Sequence, residues 1–352
     1  MVRKLALALL EKQTSIDTPE TVLAANDFTD TLEAWTGDIS PTAQEDLRGS
    51  GVYGNNPRTI GRYDNDVSLV YSLYSRGSGV QPSFIKAMEC AGWERRLSGS
   101  NILMVPKSEI TEACTLWGYE GGPGTNKSLL EKWGNIMFDG TISIVIGERA
   151  TMTLNGKGKR VADPVISTMP DVGAYREKKI APAFMEGAIT INGVAYNLIK
   201  LDLNFGQTIE NNVDGTDEFG GGDTEMTDRN IEFTCTVYQK PTLAKIPHSN
   251  LKNQTSGTFD LKWGRIFNYP DLRLYSTGSV FYDVKRGDNN GVSTWELSGY
   301  FQDNEIQFEV YNNNGSSYSS TSVSYSSDSN SSSSESNSSS SASESSASSA
   351  SL

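Results

Sequence analysis

The sequence predicts a mainly β protein, an antiparallel β-sandwich or barrel with one short packed helix. Three observations carry this expectation. Apolar and polar residues alternate along many segments, the spacing by which a strand buries one face and wets the other. Turn-forming pairs, Asp139-Gly140, Asn155-Gly156 and Asn192-Gly193, sit between such segments; Asn and Gly tolerate the positive φ that type I′ hairpins need. Only one stretch has strong helical spacing.

The apolar run at the start, Met1–Leu10, is too short for a signal peptide and closes on Glu11-Lys12 without a small-residue cleavage site, so it reads as a strand. Asp38–Thr59, rich in Gly, Asn, Pro and Ser, reads as a loop. Val67, Leu69, Tyr71 and Leu73 then alternate with Asp66, Ser68, Val70 and Ser72. Pro82 suits a first helical turn, Phe84, Ile85, Met88 and Ala91 share one helical face, and Gly92 supplies the stop. Ser128–Trp133 carries a second, weaker helical pattern. Asn135–Leu154 reads as a β meander and Ala162–Pro182, with three prolines, as a loop. Ile189–Ile191 turns at Asn192-Gly193 into a long arm, Val194–Ile209. Along that arm Ile199, Leu201, Leu203 and Phe205 alternate with Lys200, Asp202 and Asn204. Asn211–Asp228 reads as an acidic loop. Ile231, Phe233, Cys235 and Val237 form another alternating run, as do Phe259, Leu261 and Trp263. Ser293–Phe301 and Glu305–Val310 read as a final antiparallel pair.

Residues 1–311 are expected to form a single β domain, with a candidate sub-boundary at 241–253. The Ser-rich segment 312–352 cannot bury enough apolar surface to offset its ordering entropy, and is expected to be disordered. No stretch reaches the ~20 apolar residues of a membrane span, so no membrane anchor is expected.

Charge and chemistry narrow the function. The net charge is −13, and the Ser-rich segment contributes only Asp328, Glu335 and Glu344 to it. Such an acidic body disfavours gripping nucleic acid, where affinity comes from Lys and Arg on phosphates. It suits a surface that nucleic acid slides past, because like charge prevents sticking. The three cysteines, Cys90, Cys114 and Cys235, are odd in number and lack CxxC spacing. They predict neither a disulfide framework nor a zinc site, but buried thiols from a reducing cytoplasm. His248 is the only histidine, so no Ser-His-Asp or Cys-His pair is well placed. Asn155-Gly-Lys-Gly-Lys-Arg160 lacks the phosphate-loop spacing. Asp214, Asp217, Glu218, Asp223, Glu225 and Asp228 do not match the helical-loop calcium pattern and read as a solvated cluster. The six scattered tryptophans read as core or interface. No enzyme activity, metal or cofactor is expected.

Several motifs recur in a telling order. Glu11-Lys12 closes the first strand and Pro19 follows; a polar loop carries Pro41, Asp46, Leu47 and Gly51. A strand ends in Arg76-Gly-Ser-Gly79, Pro82 opens a helix, and Cys90-Ala-Gly92 closes it. A strand with Asp139-Gly140 precedes a run ending at Asp163-Pro164. The Ile191-Asn-Gly193 hairpin leads to Leu198–Phe205, and Ile231–Tyr238 forms a late strand. This series, over residues 3–310, resembles the tail tube proteins of long-tailed, siphovirus-like bacteriophages. The resemblance implies a β-sandwich with one helix, six copies to a ring, and inner sheets that close into a barrel. Rings would stack around a tape-measure protein, meet terminator and distal tail proteins at the tube's ends, and later pass DNA without binding it specifically. The subunit would assemble in the host cytoplasm and reside in the virion tail. Asn65–Tyr74 and Leu198–Glu210 become candidates for the inner barrel, and Asp202 and Asn204 for its lumen, with Lys200 on the same face. Asp38–Thr59 becomes the candidate contact with the adjacent ring, and the Ser-rich end should lie outside the bore. The alternatives are another ring protein (a terminator, a distal tail protein or a type VI secretion tube subunit), an adhesive β-sandwich on a Ser-rich stalk, and a hydrolase using paired carboxylates.

Overall fold

The computed structural model describes residues 5–15, 18–45, 58–75, 81–108, 113–122, 126–176, 183–184, 188–211, 224–239, 256–264 and 271–311. Within them the chain runs β1 (Leu5–Lys12), β2 (Phe28–Thr29), β3 (Thr36–Glu45), β4 (Arg58–Ser72), α1 (Ser83–Cys90), β5 (Trp93–Ser98) and β6 (Asn101–Pro106). It continues through β7 (Cys114–Gly121), β8 (Ser128–Val145), β9 (Thr151–Ser167), β10 (Ala188–Ile191), β11 (Val194–Asn204), β12 (Gln207–Asn211) and β13 (Thr224–Arg229). It ends with β14 (Glu232–Tyr238), β15 (Gly257–Trp263), β16 (Leu272–Asn289), β17 (Val292–Phe301) and β18 (Gln307–Val310). The protein is therefore mainly antiparallel β with one packed α-helix among the described residues, as the alternation predicts. No described helix is long and apolar enough to cross a membrane.

One run of hydrogen-bonded neighbours reads β3-β4-β9-β8-β11-β14-β17-β16, every pair antiparallel. β8 is shared between two neighbours on one side. Its first part pairs with β7, which leads to β1 and β2, and its end, Thr141–Val145, pairs with β11. β16 is shared too. Its first half pairs with β15 and β18, its second half with β17. Through β10 and β15 the pairings return to β11, so β10, β11, β14, β17, β16 and β15 form a closed ring of six strands. Inside it Phe233 meets Phe259, Phe281 and Phe301 at centroid distances of 5.1, 5.8 and 5.0 Å. Strands from both sides of Pro241 thus share one sheet, and Met1–Asn314 is one compact unit.

Helix α1 starts after Pro82 and buries Phe84, Ile85, Ala87, Met88 and Cys90. Gly92, at φ +74°, ends the turn in a conformation that costs glycine little. On the outer side of α1 the Lys86 ammonium reaches Glu11 at 2.5 Å and Asp27 at 3.5 Å, tying α1 to the first strand's end.

The structure corrects several expectations. Asn192-Gly193 is a tight turn with φ +52° and +75°, but Asp139-Gly140 and Asn155-Gly156 lie inside β8 and β9. There the missing side chain makes room for packing. A Cβ on Gly140 would stand 2.4 Å from Phe205, and one on Gly156 2.6 Å from Phe138. The β8–β9 turn instead uses Gly147, at φ +83°, so Asn135–Leu154 is a hairpin and not a meander. Ser128–Trp133 is the start of β8, with no helical turn. Asp38–Glu45 and Arg58-Thr59 belong to a hairpin of β3 and β4, Ala162–Ser167 to β9, and Thr224–Asp228 to β13. Alternation in β11 slips at a bulge between Leu198 and Lys200, so Ile199 is only half-buried while Leu198 and Leu201 are buried. β17 and β18 do not pair with each other; both pair with β16, β18 along its first half and β17 along its second. Segments 46–57, 76–80, 212–223, 240–255 (with His248) and 312–352 lie outside the described residues.

The cysteine expectation is overturned. The end of α1 and the start of β7 place Cys90 and Cys114 5.9 Å apart at Cα, joined as a disulfide across 24 residues. Cys235 alone is a free, buried thiol, and burial pushes its pKa up to about 12. Closing a loop of this length stabilises by about 3 kcal/mol, chiefly by restricting the unfolded chain. Replacing both with Ala should lower the urea midpoint accordingly, and reductant should have no further effect on that variant. A midpoint equal to the parent's would sink this assignment.

Candidate functional site

The eight-strand run buries one face and leaves the other polar. The buried face carries Leu69, Tyr71, Met152, Leu154, Ile142, Ile144, Leu201, Leu203, Phe233, Cys235, Leu297 and Trp295. Because strand side chains alternate, every neighbour of these residues projects to the opposite face. Register then sets them in rows across the sheet. One row runs Ser72–Thr151–Ser143–Asp202–Thr234–Ser298–Asp283. The next runs Val70–Thr153–Thr141–Asn204–Glu232–Tyr300. Thr36–Ser68–Asn155–Asp139 and Lys200–Thr236–Glu296–Lys285 flank them. At ~4.8 Å between strands the face is about 34 Å wide.

Cross-strand bonds knit this face together. The Ser143 hydroxyl donates to Asp202 at 2.7 Å, Ser68 donates to Asn155 at 2.9 Å, and Thr234 and Ser298 share a bond of 3.3 Å. The lysines are partly neutralised within it: Lys200 lies 2.5 Å from Asp202 and Lys285 2.6 Å from Asp283. Asp38, Asp66, Asp139 and Glu232, with Glu296, add further negative charge, and Lys157 and Lys159 add ammonium groups. The face is thus rich in hydroxyls and net acidic. Asp202 and Asn204 lie on it two residues apart along β11, in adjacent rows, as their alternation predicts. Glu232 is legible from its alternation with Phe233, but Asp283 and Glu296 are not singled out by the sequence.

A two-stranded hairpin of β12 and β13 folds over one end of the face. It continues the β11–β14 pair past a kink at Gly206, at φ +61°, where a Cβ would stand 1.9 Å from the Asn230 carbonyl. Ile209 and Met226 cover Met137 there. Gln207 and Arg229, paired across the hairpin's base, reach the end of α1. Gln207 Nε2 donates to the Ala91 carbonyl at 2.6 Å. Arg229 donates to the carbonyls of Ala91, Gly92 and Lys107 at 3.0, 3.1 and 3.1 Å. A cleft of about 420 Å³ lies between the hairpin and the sheet, lined by Asp38, Asp66, Asp139, Lys157 and Gln207 together with the apolar Val67 and Ile209.

Burial raises the Asp139 carboxyl above its usual range, against the opposing pull of the Gln207 N–H and the Arg229 charge. A raised folded-state value means that the carboxyl favours folding below the unfolded pKa, and that this contribution is lost as pH rises through the folded value. Asp139→Asn, which keeps an acceptor for the Gln207 N–H, should therefore raise stability at pH 7 and have no effect near pH 3. Thermal melts at both pH values check the sign.

Among the described residues no cluster of His, Cys, Asp or Glu converges to hold a metal ion. Asn155–Arg160 lies extended within β9 and opens no helix, so it forms no phosphate loop. What the site can do is physical: it offers a broad, hydrated, negatively biased wall. No protein-family model matches the chain, and no curated protein is significantly similar to it.

Proposed function

We propose that the chain is the structural subunit of a phage tail tube, with the polar sheet face lining the bore and no catalytic role. The observation that carries this reading is the eight-strand sheet itself, buried on one side and mainly polar and acidic on the other, with β3 and the outer half of β16 as open edges among the described residues. A closed ring removes such edges, which a lone subunit would otherwise have to protect. An acidic, hydroxyl-rich bore repels phosphates, so DNA passes without adhering. The tape-measure protein would occupy the bore before DNA does, and terminator and distal tail proteins would cap the stack. Head-to-tail contacts between rings, including those at the far end of the β3–β4 hairpin, would extend it.

Electron microscopy of the purified chain tests the reading. Long hollow filaments are expected. Single closed rings that never stack would point to a terminator or distal tail protein instead, and persistent monomers that bind a glycan would refute the assignment in favour of an adhesin. Combined Asp202→Lys, Glu232→Lys and Glu296→Lys substitutions should leave tube assembly intact but lower infectivity roughly tenfold, because new cations hold phosphates. The defect should be relieved in plaque assays at higher salt, and equal defects at all salt concentrations would count against a lumenal position.

A further inference from the structure

The resemblance implies six copies to a ring, but the width of the sheet does not fit six. We propose that three copies close the ring, by pairing the free edge of β3 in one copy with the free outer half of β16, Asp283–Asn289, in the next. This rests on the tube reading above and names its subunit interface.

Both edges are open among the described residues. β3 pairs only with β4, and β15 leaves β16 at Ser279. Eight strands in strict antiparallel alternation mean that β3 and β16 run in opposite directions. Joining β16 to the β3 of a second copy therefore continues the same antiparallel order. Charge does not oppose the pairing: Asp38 stands opposite Asp66 beside the β3 edge, and the β16 edge is balanced, Lys285 and Arg286 offsetting Asp283 and Asp288.

The stagger of the strands also agrees. Relative to the row from Ser72 to Asp283, β3 lies wholly on one side, with Thr36 opposite Ser68 and Glu45 opposite Arg58. The free β16 residues lie on the other side. The midpoints of the two edges are about twelve residues apart along the strands, or ~40 Å at ~3.3 Å per residue. Around the ring they are eight steps of ~4.8 Å apart, about 38 Å. The ratio gives a strand tilt of about 45°, at the upper end of the range that closed barrels use.

That geometry sets the bore. Three copies supply twenty-four strands, whose wall at this tilt is about 50 Å across between backbones, leaving a bore of about 40 Å inside the side chains. A DNA duplex is on the order of 20 Å across, so it fits with its hydration. Six copies would open the wall to about 100 Å, far wider than its cargo, and two would leave a bore of only about 25 Å.

Native mass spectrometry of the purified full chain, with image averaging of any tubes, reads the copy number. The chain is 38.3 kDa, so the smallest closed ring is expected at three times that mass, with three-fold averages in tubes. A photo-cross-linking benzoyl-phenylalanine in place of Asp288 should capture the β3 peptide of another copy. Six-copy rings, or cross-links to any other element, overturn the proposal even if tubes form. Three-copy rings that never stack would support this junction while refuting the tube. A chain that stays monomeric at high concentration overturns both.

Discussion

Gly118→Val is expected to destabilise the protein by about 3–5 kcal/mol, the range for losing a large buried aromatic. Gly118 lies in β7 directly beneath Trp35. A Cβ there would stand 2.0 Å from Trp35 Cζ2, 2.2 Å from Cε2 and 2.5 Å from Cη2, well inside contact distance. The indole cannot move far, because its other side meets Gly37, where a Cβ would lie 2.9 Å away, and only 3 % of it is exposed. The added methyls must therefore expel the ring or force β1, β7 and β8 apart. For a chain of this size the melting temperature should fall by on the order of 10 °C. Gly122→Val, with no atom within 4 Å of its Cβ, should change stability by no more than ~0.5 kcal/mol. Trp35→Leu should partly rescue Gly118→Val, since it vacates the space the valine needs. Lack of rescue would show that the damage comes from backbone separation and not from the indole. Trp35 immediately precedes β3, so the same substitution should loosen the sheet edge through which the proposed ring closes.

Sequence periodicity located most of the structure because a one-sided sheet writes its burial in period two. Val67–Leu73, Ile231–Val237 and Phe259–Trp263 were legible for this reason, as was α1, whose apolar spacing and Gly92 stop are local signals. What escaped was set by distant partners. Gly140 and Gly156 look like turn glycines until Phe205 and Phe138 arrive from elsewhere in the chain and fill the space above them. β16 was overlooked because it bends at a bulge between Phe281 and Asp283 and changes partners there, so no single alternating run describes it. The Cys90–Cys114 bridge has no spacing rule at all; it exists because α1 and β7 meet. Asp202 and Asn204 could be placed on the polar face from their own strand. The extent of that face depends on seven cross-strand registers, and no local pattern encodes those.

Arg229→Met should cost about 2–3 kcal/mol, the range for losing hydrogen bonds from a charged, partly buried group. The α-helix it serves has eight residues, so its unpaired C-terminal carbonyls are a large share of its hydrogen-bonding groups. Arg229 supplies both donors and positive charge at that end, where the helix dipole favours a cation. Its guanidinium holds three carbonyls on two segments, those of Ala91 and Gly92 after the helix and that of Lys107 after β6. Burial draws its pKa down to about 10, so it remains protonated at neutral pH. Methionine fills similar space but leaves these carbonyls buried with fewer donors, each worth about 1–3 kcal/mol. Arg229→Lys should rescue little, because one ammonium cannot span the three acceptors as a planar fork does. Gln207→Leu should cost less, about 1–2 kcal/mol, since Arg229 still donates to Ala91. The two residues grip the same carbonyl from paired positions, so their double variant should lose less than the sum of the single losses. Hydrogen exchange separates local from global effects. In Arg229→Met, exchange should rise first in β12 and β13 and at the end of α1, while β14, held on both sides by β11 and β17, stays protected. Uniform acceleration across all strands would mean that Arg229 supports the whole fold and not the clamp between helix and hairpin.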